Sequence, residues 1–568
     1  MFIPKPEHPR PDFYRPSWFN LNGEWEFEID RGITGKERKF YERPSLSDKI
    51  IVPFVPESVL SGVNDQDVMK SVWYRREFTI PDDWSGGRIL IHFGAVDYLT
   101  EVWINGVSAG THKGGYTPFV FDITDLLEKG NNTVVLNAFD DVHEPMQASG
   151  KQSGPYYNHA CMYTRCTGIW QTVWLEHVPD VYIKKFKLTP DVDNGKLHIQ
   201  AELNTYAEDM QLNATAKLNN EIKSTAKSKV SGKIIFATMD IPNPELWQPG
   251  APVLYDLTLT VDNDTVETYF GMRKIAINGY KVEINGKSVF QRLVLDQGYY
   301  PEGIYTAKDD DEIKNDIVLS MEAGFNSARM HMKVFEPRYI YHADKLGYLL
   351  WGEYANWGLN DHDERSLAHM LPEWMEALER DYNHPSIIGW CPFNETHPGR
   401  SALVFQNAYN VTRAFDATRL IIDSSGYLHV VTDIYDVHNY EQDLEKFRKA
   451  FAKFENDDEI FVNYPNHEKY EGQPYFVSEF GGTWWDIDED GEEGWGYGES
   501  IKNIEEFYER YQGMIDTLLD NPRICAFCYT QITDVMQEKN GIYSFTRKVK
   551  FDMDRIRKIN TRKAAIED

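Results

Sequence analysis

The sequence has few cysteines, no long apolar run and a shortage of positive charge. Its 568 residues include five cysteines, an odd number that does not indicate a disulfide framework and favours a reducing compartment. No run of about eighteen apolar residues occurs, so no membrane-spanning helix is predicted. The first residues, MFIPKPEHPRPDFYRP, lack the apolar core of a signal peptide. We therefore expect a soluble, cytoplasmic protein.

The shortage of positive charge excludes two classes of partner. Lysine and arginine total 59 against 89 aspartates and glutamates, which gives a formal charge of −30. Nucleic acids and anionic membranes require a basic surface, so neither is expected as a partner. Aromatic residues are plentiful at 14%, and their flat faces bind sugars as well as filling β-rich cores.

One pair of cysteines has the spacing of metal ligands but lacks further ligands. Cys525 and Cys528 form a C-x-x-C inside the apolar run ICAFCYT, with no second pair and no histidine at ligand spacing. We interpret both as buried thiols of a strand. The sequence predicts no metal site and no cofactor.

The first half of the chain is predicted to be all β. Residues 1–180 contain many short strands, such as NLNGEWEFEID and GRILIHFGAV, and Asn105-Gly106 marks a hairpin turn. This pattern predicts a two-sheet sandwich. Residues 181–274 contain four alternating strands, which predict a small immunoglobulin-like sandwich: KLHIQAELN, MQLNATAKLN, KIIFATMDI and LYDLTLTVD.

The hydrophobic period changes after Gly271, and residues 275–568 alternate short apolar strands with amphipathic helices. Five helical stretches are evident, from KDDDEIKNDIVLSMEAGF to SIKNIEEFYERYQGMIDTLLDN. The predicted strands are SVFQRLVL, NSARMHM, YLLWGEY, SIIGWCPF, RLIIDSS, DIYDVHNY, PYFVSEF and ICAFCYTQ. Eight such strands predict a closed (β/α)8 TIM barrel.

Two of these barrel strands deliver a glutamate to the rim. Glu395 ends the fourth strand and Glu479 the seventh, each followed by a loop rich in glycine or proline. Barrels of this type place their chemistry at the carboxyl ends of the strands. Two carboxylates facing each other across a pocket are the minimum equipment for cleaving a glycosidic bond, so the sequence indicates a glycosidase.

The whole chain resembles glycoside hydrolase family 2, the family of β-galactosidases, β-glucuronidases and β-mannosidases. The resemblance rests on W-x-x-x-N-E (Trp390, Asn394, Glu395) and on S-E-F-G (Ser478 to Gly481), in that order. It also rests on TGIWQTVWLE, FGMRK and INGKSVF at the expected places. The resemblance implies an N-terminal jelly-roll sugar-binding domain, an immunoglobulin-like domain and a catalytic barrel.

The resemblance also implies a retaining double displacement. Glu479 is the expected nucleophile and Glu395 the acid/base, with carboxyl groups about 5 to 5.5 Å apart. We expect the ionised nucleophile to raise the pKa of Glu395. Asn394 matches the position that hydrogen-bonds the sugar 2-hydroxyl, Tyr440 the tyrosine that bonds the nucleophile, and Arg329 the arginine that orients it. The alternatives are a plain aromatic rim residue for Tyr440 and a structural ion pair beneath the site for Arg329. The alternative for both glutamates is a structural ion pair at the barrel rim.

Five further residues are candidates for substrate binding. By resemblance, His331 lines the base of the pocket, although a satisfied buried histidine is an alternative. Trp390, Trp357 and Tyr529 are candidate apolar walls, with core packing as the competing interpretation for Trp390. Lys539 is a candidate for holding a charged substituent of the sugar.

Three departures from the family pattern concern the sugar. Met162 stands six residues before Gly168, where many members carry an aspartate. The chain reads Glu538-Lys539-Asn540-Gly541 where β-glucuronidases place Asn-x-Lys before a glycine, and an acid there repels a uronate. His331 follows its arginine by two residues rather than three.

We therefore predict an exo-β-glycosidase for a neutral terminal sugar, with β-galactoside first. The alternatives are an α-L-arabinosidase or β-galactofuranosidase, a β-glucuronidase or hexuronidase that uses Lys539 or Arg547, and a non-catalytic carbohydrate-binding protein. Relatives often assemble as dimers or tetramers, so a homo-oligomer is expected. The acidic segment from Asp486 to Ser500 is predicted to be a solvated loop over the barrel mouth.

Overall fold

The first unit is a β-sandwich in the computed structural model, which describes residues 3–455, 459–467, 469–487 and 494–567. Two antiparallel sheets, of four and six strands, enclose one apolar core. The strands are Trp18–Asn20, Gly23–Ile29, Asp48–Val52, Ser71–Thr79, Arg88–Phe93, Leu99–Ile104, Val107–Lys113, Phe119–Asp122, Asn131–Phe139 and Val173–Val178, with the short pair Val96–Asp97 and Gly168–Ile169.

The predicted hairpin turn at Asn105-Gly106 is confirmed. It joins Leu99–Ile104 to Val107–Lys113, which pair antiparallel. Both turn residues have positive φ, 51° and 80°, the backbone of the two-residue turn that asparagine and glycine favour.

The second unit is a smaller sandwich built around one long strand. Its strands are Ile183–Asp191, Lys196–Leu218, Glu221–Asp240, Tyr255–Val261 and Asp264–Phe270. The first half of Lys196–Leu218 pairs with Ile183–Asp191 and the second half with Tyr255–Val261. The prediction of two strands, KLHIQAELN and MQLNATAKLN, was wrong, because β-bulges let one continuous strand pass through the polar residues between them.

The third unit confirms the predicted TIM barrel. Its strands, called here the first to eighth barrel strands, are Gln291–Asp296, Ser327–Met330, Leu349–Glu353, Ile387–Cys391, Leu420–Ile421, Tyr435–Asn439, Tyr475–Phe480 and Ile524–Tyr529. All pairs in this eight-stranded sheet are parallel, and the first strand pairs with the eighth. Three short strands, Ile275–Asn278, Lys281–Ile284 and Lys287–Ser288, precede the barrel, and Asn394–Thr396 pairs with Ser425–Tyr427 at its rim.

Seven α-helices surround the barrel in the described part of the chain. They are Asp310–Glu322, Pro337–Leu346, Leu367–Asp381, Ala402–Phe415, Leu444–Phe451, Ile504–Asp520 and Met553–Asn560. Single-turn helices lie at Phe40–Glu42, Val59–Ser61 and Thr124–Leu126 in the first unit and at Glu364–Ser366 and Ala565–Glu567 in the third. The sequence analysis missed Leu444–Phe451 and Met553–Asn560, since eight residues carry too little periodicity. None of the described helices is long and apolar enough to cross a membrane.

Arg15 joins the two sandwiches through a buried ion network. Its guanidinium donates to both oxygens of Asp264 in the second sandwich, at 2.7 and 2.9 Å. It also donates to Glu176 of the first sandwich at 3.2 Å and to the carbonyl of Ile183 at 2.7 Å. This buried cation therefore contributes to the orientation of one sandwich on the other, together with the backbone pairing of Tyr14 with Glu267.

We predict that Arg15→Ala destabilises the sandwich pair by about 3 to 5 kcal/mol, because it leaves Asp264 buried without a cation and Glu176 with His92 as its remaining basic partner. Urea unfolding followed by tryptophan fluorescence measures the loss. The matched control is Arg31→Ala, whose exposed side chain pairs with Asp65 and Asp67 and which we expect to lose less than about 1 kcal/mol. Equal unfolding curves for the two variants contradict the proposed role of Arg15.

Candidate active site

The two predicted glutamates converge at the carboxyl ends of the barrel strands. Glu395 lies in the rim strand that follows the fourth barrel strand, and Glu479 lies in the seventh. A carboxylate oxygen of each and a nitrogen of His438 all lie within 4.8 Å of one another. The Glu395 side chain is 18% exposed and that of Glu479 5%, so Glu395 faces the mouth and Glu479 lies deeper.

The backbone at Glu395 is strained. Its φ of 55° lies in the left-handed region, which costs a non-glycine residue on the order of 1 to 3 kcal/mol. Two contacts hold Glu395 in this conformation. The strand Asn394–Thr396 pairs with Ser425–Tyr427, and the backbone amide of Asn394 donates to Asn356 Oδ1 at 2.9 Å. The strained residue thus has a fixed position beside Glu479.

Arg329 connects three strand ends beneath the site. Its Nη1 donates to Glu479 Oε1 at 2.9 Å, its Nη2 donates to Asn394 Oδ1 at 2.9 Å, and its Nε donates to Glu353. The side chain is buried, so these charge-assisted bonds act in a low dielectric. The structure places Arg329 where the sequence analysis expected it, against the predicted nucleophile.

His331 and Glu353 form the floor of the pocket. His331 Nδ1 lies 3.0 Å from Glu353 Oε2, and its Nε2 lies 4.0 Å from Glu479 Oε1. Burial lowers the pKa of His331 well below its ordinary value, and the charges of Lys151 and Arg329 lower it further, so the ring is neutral. The sequence analysis missed Glu353, although it ends the third barrel strand and so stands at the same rim as the other two glutamates.

Tyr440 lies on the other side of Glu479. Its hydroxyl donates to Glu479 Oε2 at 2.5 Å and lies 3.0 Å from Thr530 Oγ1. Its ring stacks on Tyr497, with centroids 3.5 Å apart. Burial raises the pKa of Tyr440 well above its ordinary value, so the hydroxyl remains a donor.

His438 lies between the two carboxylates, and the sequence analysis missed it. Its Nδ1 is 3.0 Å from Glu395 Oε1 and 3.4 Å from Glu479 Oε2. Burial alone lowers the pKa of this imidazole, but the two carboxylates raise it above its ordinary value. The signal was present in the motif VHNY, two residues before Tyr440.

The expected rise in the pKa of Glu395 is not found. Burial does raise this pKa, but the hydrogen bond and charge of His438, together with Lys151 and Tyr427, bring it below the ordinary value. Burial also raises the pKa of Glu479, but the charges of His438 and Arg329 bring this pKa below its ordinary value. The prediction considered the repulsion between two carboxylates and omitted the cations beside them.

Glu395, His438 and Glu479 are also the one group of three metal-type ligands found among the described residues. A cation bound there would lie between the two carboxylates. It would therefore occupy the space that a reacting sugar carbon needs, so the arrangement does not favour a resident metal.

Of the predicted aromatic walls, Trp357 lies at the site. Its indole nitrogen donates to the Asn394 carbonyl at 3.3 Å. Trp390 does not: its indole nitrogen donates to Asp416 at 2.8 Å, and its ring packs edge-on against Trp374 of a surrounding helix. The competing interpretation of Trp390, packing between barrel and helices, is the correct one.

Tyr529 also belongs to the barrel wall rather than the pocket. Its ring packs edge-on against Tyr511 of the helix Ile504–Asp520 and against Phe480. Side chains on a strand alternate between its two faces, and that of Tyr529 faces the surrounding helix.

The predicted substrate lysine, Lys539, is buried near Asp534 and Lys550, whose pKa values its charge affects. The lysine that lowers the pKa of Glu395 is Lys151 of the first sandwich. Because Lys151 lies on a loop in a different unit from the two glutamates, nothing in the sequence pattern indicated it.

Part of the acidic segment, residues 488–493, lies outside the described residues. The part that follows contacts both the first sandwich and the site. Trp495 Nε1 donates to the Ala160 carbonyl at 2.8 Å, and Tyr497 covers Tyr440. The prediction of a loop over the barrel mouth is not tested for residues 488–493.

Two curated relatives have the same percentage identity to this chain and different names. A β-glucuronidase of Paenibacillus borealis is 26% identical over 446 residues, covering 71% of this chain and 72% of that protein. A β-galactosidase of Thermoanaerobacter pseudethanolicus is 26% identical over 438 residues, covering 72% of this chain. The match covers 54% of that β-galactosidase, so the chain spans about half its length.

Solved structures share the fold along almost the whole chain. An uncultured Clostridium sp. β-glucuronidase superposes with a TM-score of 0.81 at 21% identity, covering 98% of this chain and 99% of that one. The Ruminococcus gnavus β-glucuronidase in complex with D-glucuronic acid superposes with a TM-score of 0.78 at 17% identity, covering 96% and 98%. At these identities the likeness establishes the three-unit architecture.

Three family models match the chain in succession. They are the sugar binding domain of glycosyl hydrolases family 2 at residues 19–179, the glycosyl hydrolases family 2 model at 181–273, and the family's TIM barrel domain at 305–521. Together they cover most of the chain and all three of its units. The chain therefore belongs to glycosyl hydrolases family 2 and is a glycoside hydrolase.

Proposed function

We propose that this protein is a retaining exo-β-glycosidase that removes a terminal neutral sugar, with β-galactoside first. The observation that carries the mechanism is the approach of the Glu395 and Glu479 carboxylate oxygens to within 4.8 Å. Retaining enzymes keep their carboxyl groups about 5 to 5.5 Å apart, whereas inverting enzymes leave room for a water between them.

In the first step, a Glu479 oxygen bonds to the anomeric carbon as the glycosidic bond breaks, and Glu395 gives its proton to the departing oxygen. In the second step, a water attacks the same carbon, Glu395 takes its proton, and Glu479 is released. The burial difference fits these roles, since the deeper Glu479 faces the sugar and the more exposed Glu395 faces the leaving group.

The residues around Glu479 hold it in an attacking position. Arg329 and Tyr440 each donate to a different oxygen of Glu479. Because Asn394 Oδ1 accepts from Arg329, its amide nitrogen is oriented to donate to the sugar 2-hydroxyl, a contact that strengthens in the transition state.

His438 carries the proton that Glu395 needs for its role as the acid. The free site favours a proton on His438 and ionised carboxylates on both sides. A bound sugar displaces water and increases burial, which favours transfer of that proton along the 3.0 Å hydrogen bond to Glu395. After the leaving group departs with the proton, Glu395 is an ionised base beside a neutral glycosyl ester.

Neither Glu538 nor Arg547 supports a uronate. Glu538 is an acid, and it is buried with its two oxygens accepting hydrogen bonds from Tyr163 and Asn540. Arg547, a candidate for binding a uronate, instead donates two hydrogen bonds to the carboxylate of Asp316.

β-Glucuronide is the second candidate. Two observations favour it: the β-glucuronidase of Paenibacillus borealis is as similar to this chain as the β-galactosidase is, and the Lys151 ammonium lies near the catalytic pair. A panel of nitrophenyl glycosides that includes α-L-arabinopyranoside and β-galactofuranoside distinguishes the candidates.

We predict that Glu479→Gln lowers kcat/KM by at least ~10³-fold, because an amide cannot form the glycosyl ester. Proton NMR of the wild-type reaction is expected to show the β-anomer as first product. The matched control is Glu509→Gln on the outer helix, which we expect to equal wild type. An α-anomeric first product contradicts the double displacement, and an inert wild type supports the carbohydrate-binding alternative.

We predict that His438→Gln moves the acid limb of the pH profile of kcat/KM to higher pH by roughly one unit or more. Glu479 must be ionised to attack, and its pKa is held below the ordinary value chiefly by His438. Activity is therefore lost as pH falls through this lowered pKa, and removing the cation raises the pKa. His198→Gln, on the second sandwich, is the control. An unchanged acid limb refutes the assigned role of His438.

A further inference from the structure

Three aromatic rings form a cluster beside the catalytic pair, and we call them the rim cluster: His397, Tyr427 and Tyr464. The ring centroids of His397 and Tyr427 are 5.0 Å apart, and that of Tyr464 lies 6.1 Å from the first and 5.7 Å from the second. His397 Nδ1 lies 2.6 Å from the Tyr464 hydroxyl, which links these two side chains directly. Because His397 stands two residues after Glu395, the cluster begins at the rim strand that carries the acid/base.

The rim cluster is attached to the catalytic imidazole by two of its members. The Tyr427 ring lies 5.6 Å from the ring of His438, which contacts both glutamates. Asn463 precedes Tyr464 in the chain, and its side chain accepts from the His438 amide at 3.2 Å and donates to the His438 carbonyl at 2.9 Å. The positions of both tyrosines are therefore set by the residue that lies between the two carboxylates.

The backbone is strained where it brings Tyr427 to His438. Gly426 has φ of 65°, and a Cβ there would lie 2.4 Å from His438 Cδ2, so this close approach requires glycine. Tyr427 also has φ of 65°, a conformation that costs free energy in any residue other than glycine. The fold thus keeps the Tyr427 ring beside the catalytic imidazole against backbone strain, as folds do at functional sites.

The rim cluster lies at the mouth of the site and not in the core. His397 is exposed, and Tyr427 and Tyr464 are half-buried. Trp390, which packs between the barrel and its helices, is by contrast fully buried. Half-exposed aromatic rings that carry a polar tip are the side chains that typically line ligand clefts.

The departing part of the substrate has to lie on the Glu395 side of the pocket. Glu395 protonates the glycosidic oxygen only from within hydrogen-bonding reach of it. Since the Glu395 side chain is 18% exposed and that of Glu479 5%, the way from the bound sugar to solvent passes Glu395. The rim cluster starts beside Glu395 and ends at the exposed His397, so it borders this way out.

We infer that the rim cluster binds the leaving group, and that it takes a leaving group with a ring, whose apolar face packs against Tyr427 and Tyr464. This inference rests on the proposed glycosidase function and names the class of bond that is cleaved. An aryl ring and the apolar face of a second sugar share this chemistry. A leaving group without a ring, such as methanol, gains nothing from the cluster.

The test compares three leaving groups on the sugar that wild type hydrolyses best: nitrophenyl, β-1,4-linked glucose and methyl. Tyr464→Leu is expected to lower kcat/KM by ~10-fold for the two leaving groups that contain a ring, because each loses an aromatic partner. The methyl glycoside is expected to react at the wild-type rate. The matched control is Tyr464→Phe, which keeps the ring and is expected to equal wild type on all three.

The same substrates separate ring binding from an indirect effect on Glu395. Nitrophenolate departs with little help from an acid, whereas methanol depends on protonation by Glu395. A variant that merely disturbs Glu395 or His438 therefore loses more activity on the methyl glycoside than on the nitrophenyl glycoside. Ring binding gives the opposite order. A loss confined to nitrophenyl, or to the disaccharide, supports the inference and identifies which of the two rings is bound.

Thermal melting checks that the variants are folded, and Tyr427→Leu against Tyr427→Phe decides the matter if Tyr464→Leu is not. The remote control is Tyr206→Leu, at an exposed tyrosine of the second sandwich, expected to leave all three rates unchanged. Wild-type kcat/KM on both ring-containing substrates, or a larger loss on the methyl glycoside, overturns the inference and leaves the glycosidase intact. A wild type that is inert on every glycoside instead refutes the proposed function, and the inference with it.

Discussion

The site depends on burying a cation among carboxylates. Arg329 reaches Glu479, Glu353 and Asn394 from a single planar group, and its donors lie at fixed angles that match strand ends arranged around a barrel. Two buried acids so close together would otherwise repel each other and take up protons. With the imidazole of His438 beside them and the guanidinium beneath them, the pKa of Glu479 is held below its ordinary value, and the guanidinium also holds the strand ends that carry these side chains in one relative position.

The sequence was sufficient to predict the strands of the fold and the residues that stand at their ends. The eight barrel strands, both β units and the two rim glutamates follow from hydrophobic period, strand length and the position of each acid after an apolar run. The helix Leu444–Phe451 escaped because only Phe447 and Phe451 mark its buried face. The long strand of the second sandwich was predicted as two strands, because the polar residues of a bulge look like a turn in the sequence.

The remaining features of the site, which are side-chain direction and charge state, could be determined only from the three-dimensional structure. Trp390 and Asn394 stand four residues apart, yet Trp390 faces the helices and Asn394 faces the pocket. The charge state of Glu395 depends on His438 and Lys151, which come from a different strand and a different unit. A pKa is set by every charge nearby, and a family motif names only the few residues that share its spacing.

The loop at Gly150 has a consequence for how such enzymes diversify. Glu395 and Glu479 come from the barrel, while a neighbouring module brings Lys151 beside Trp357 through a glycine that admits no side chain. The pair of glutamates and part of their surroundings are thereby encoded in separate stretches of the gene. Recombination at the N-terminal module can change those surroundings while the two glutamates remain untouched.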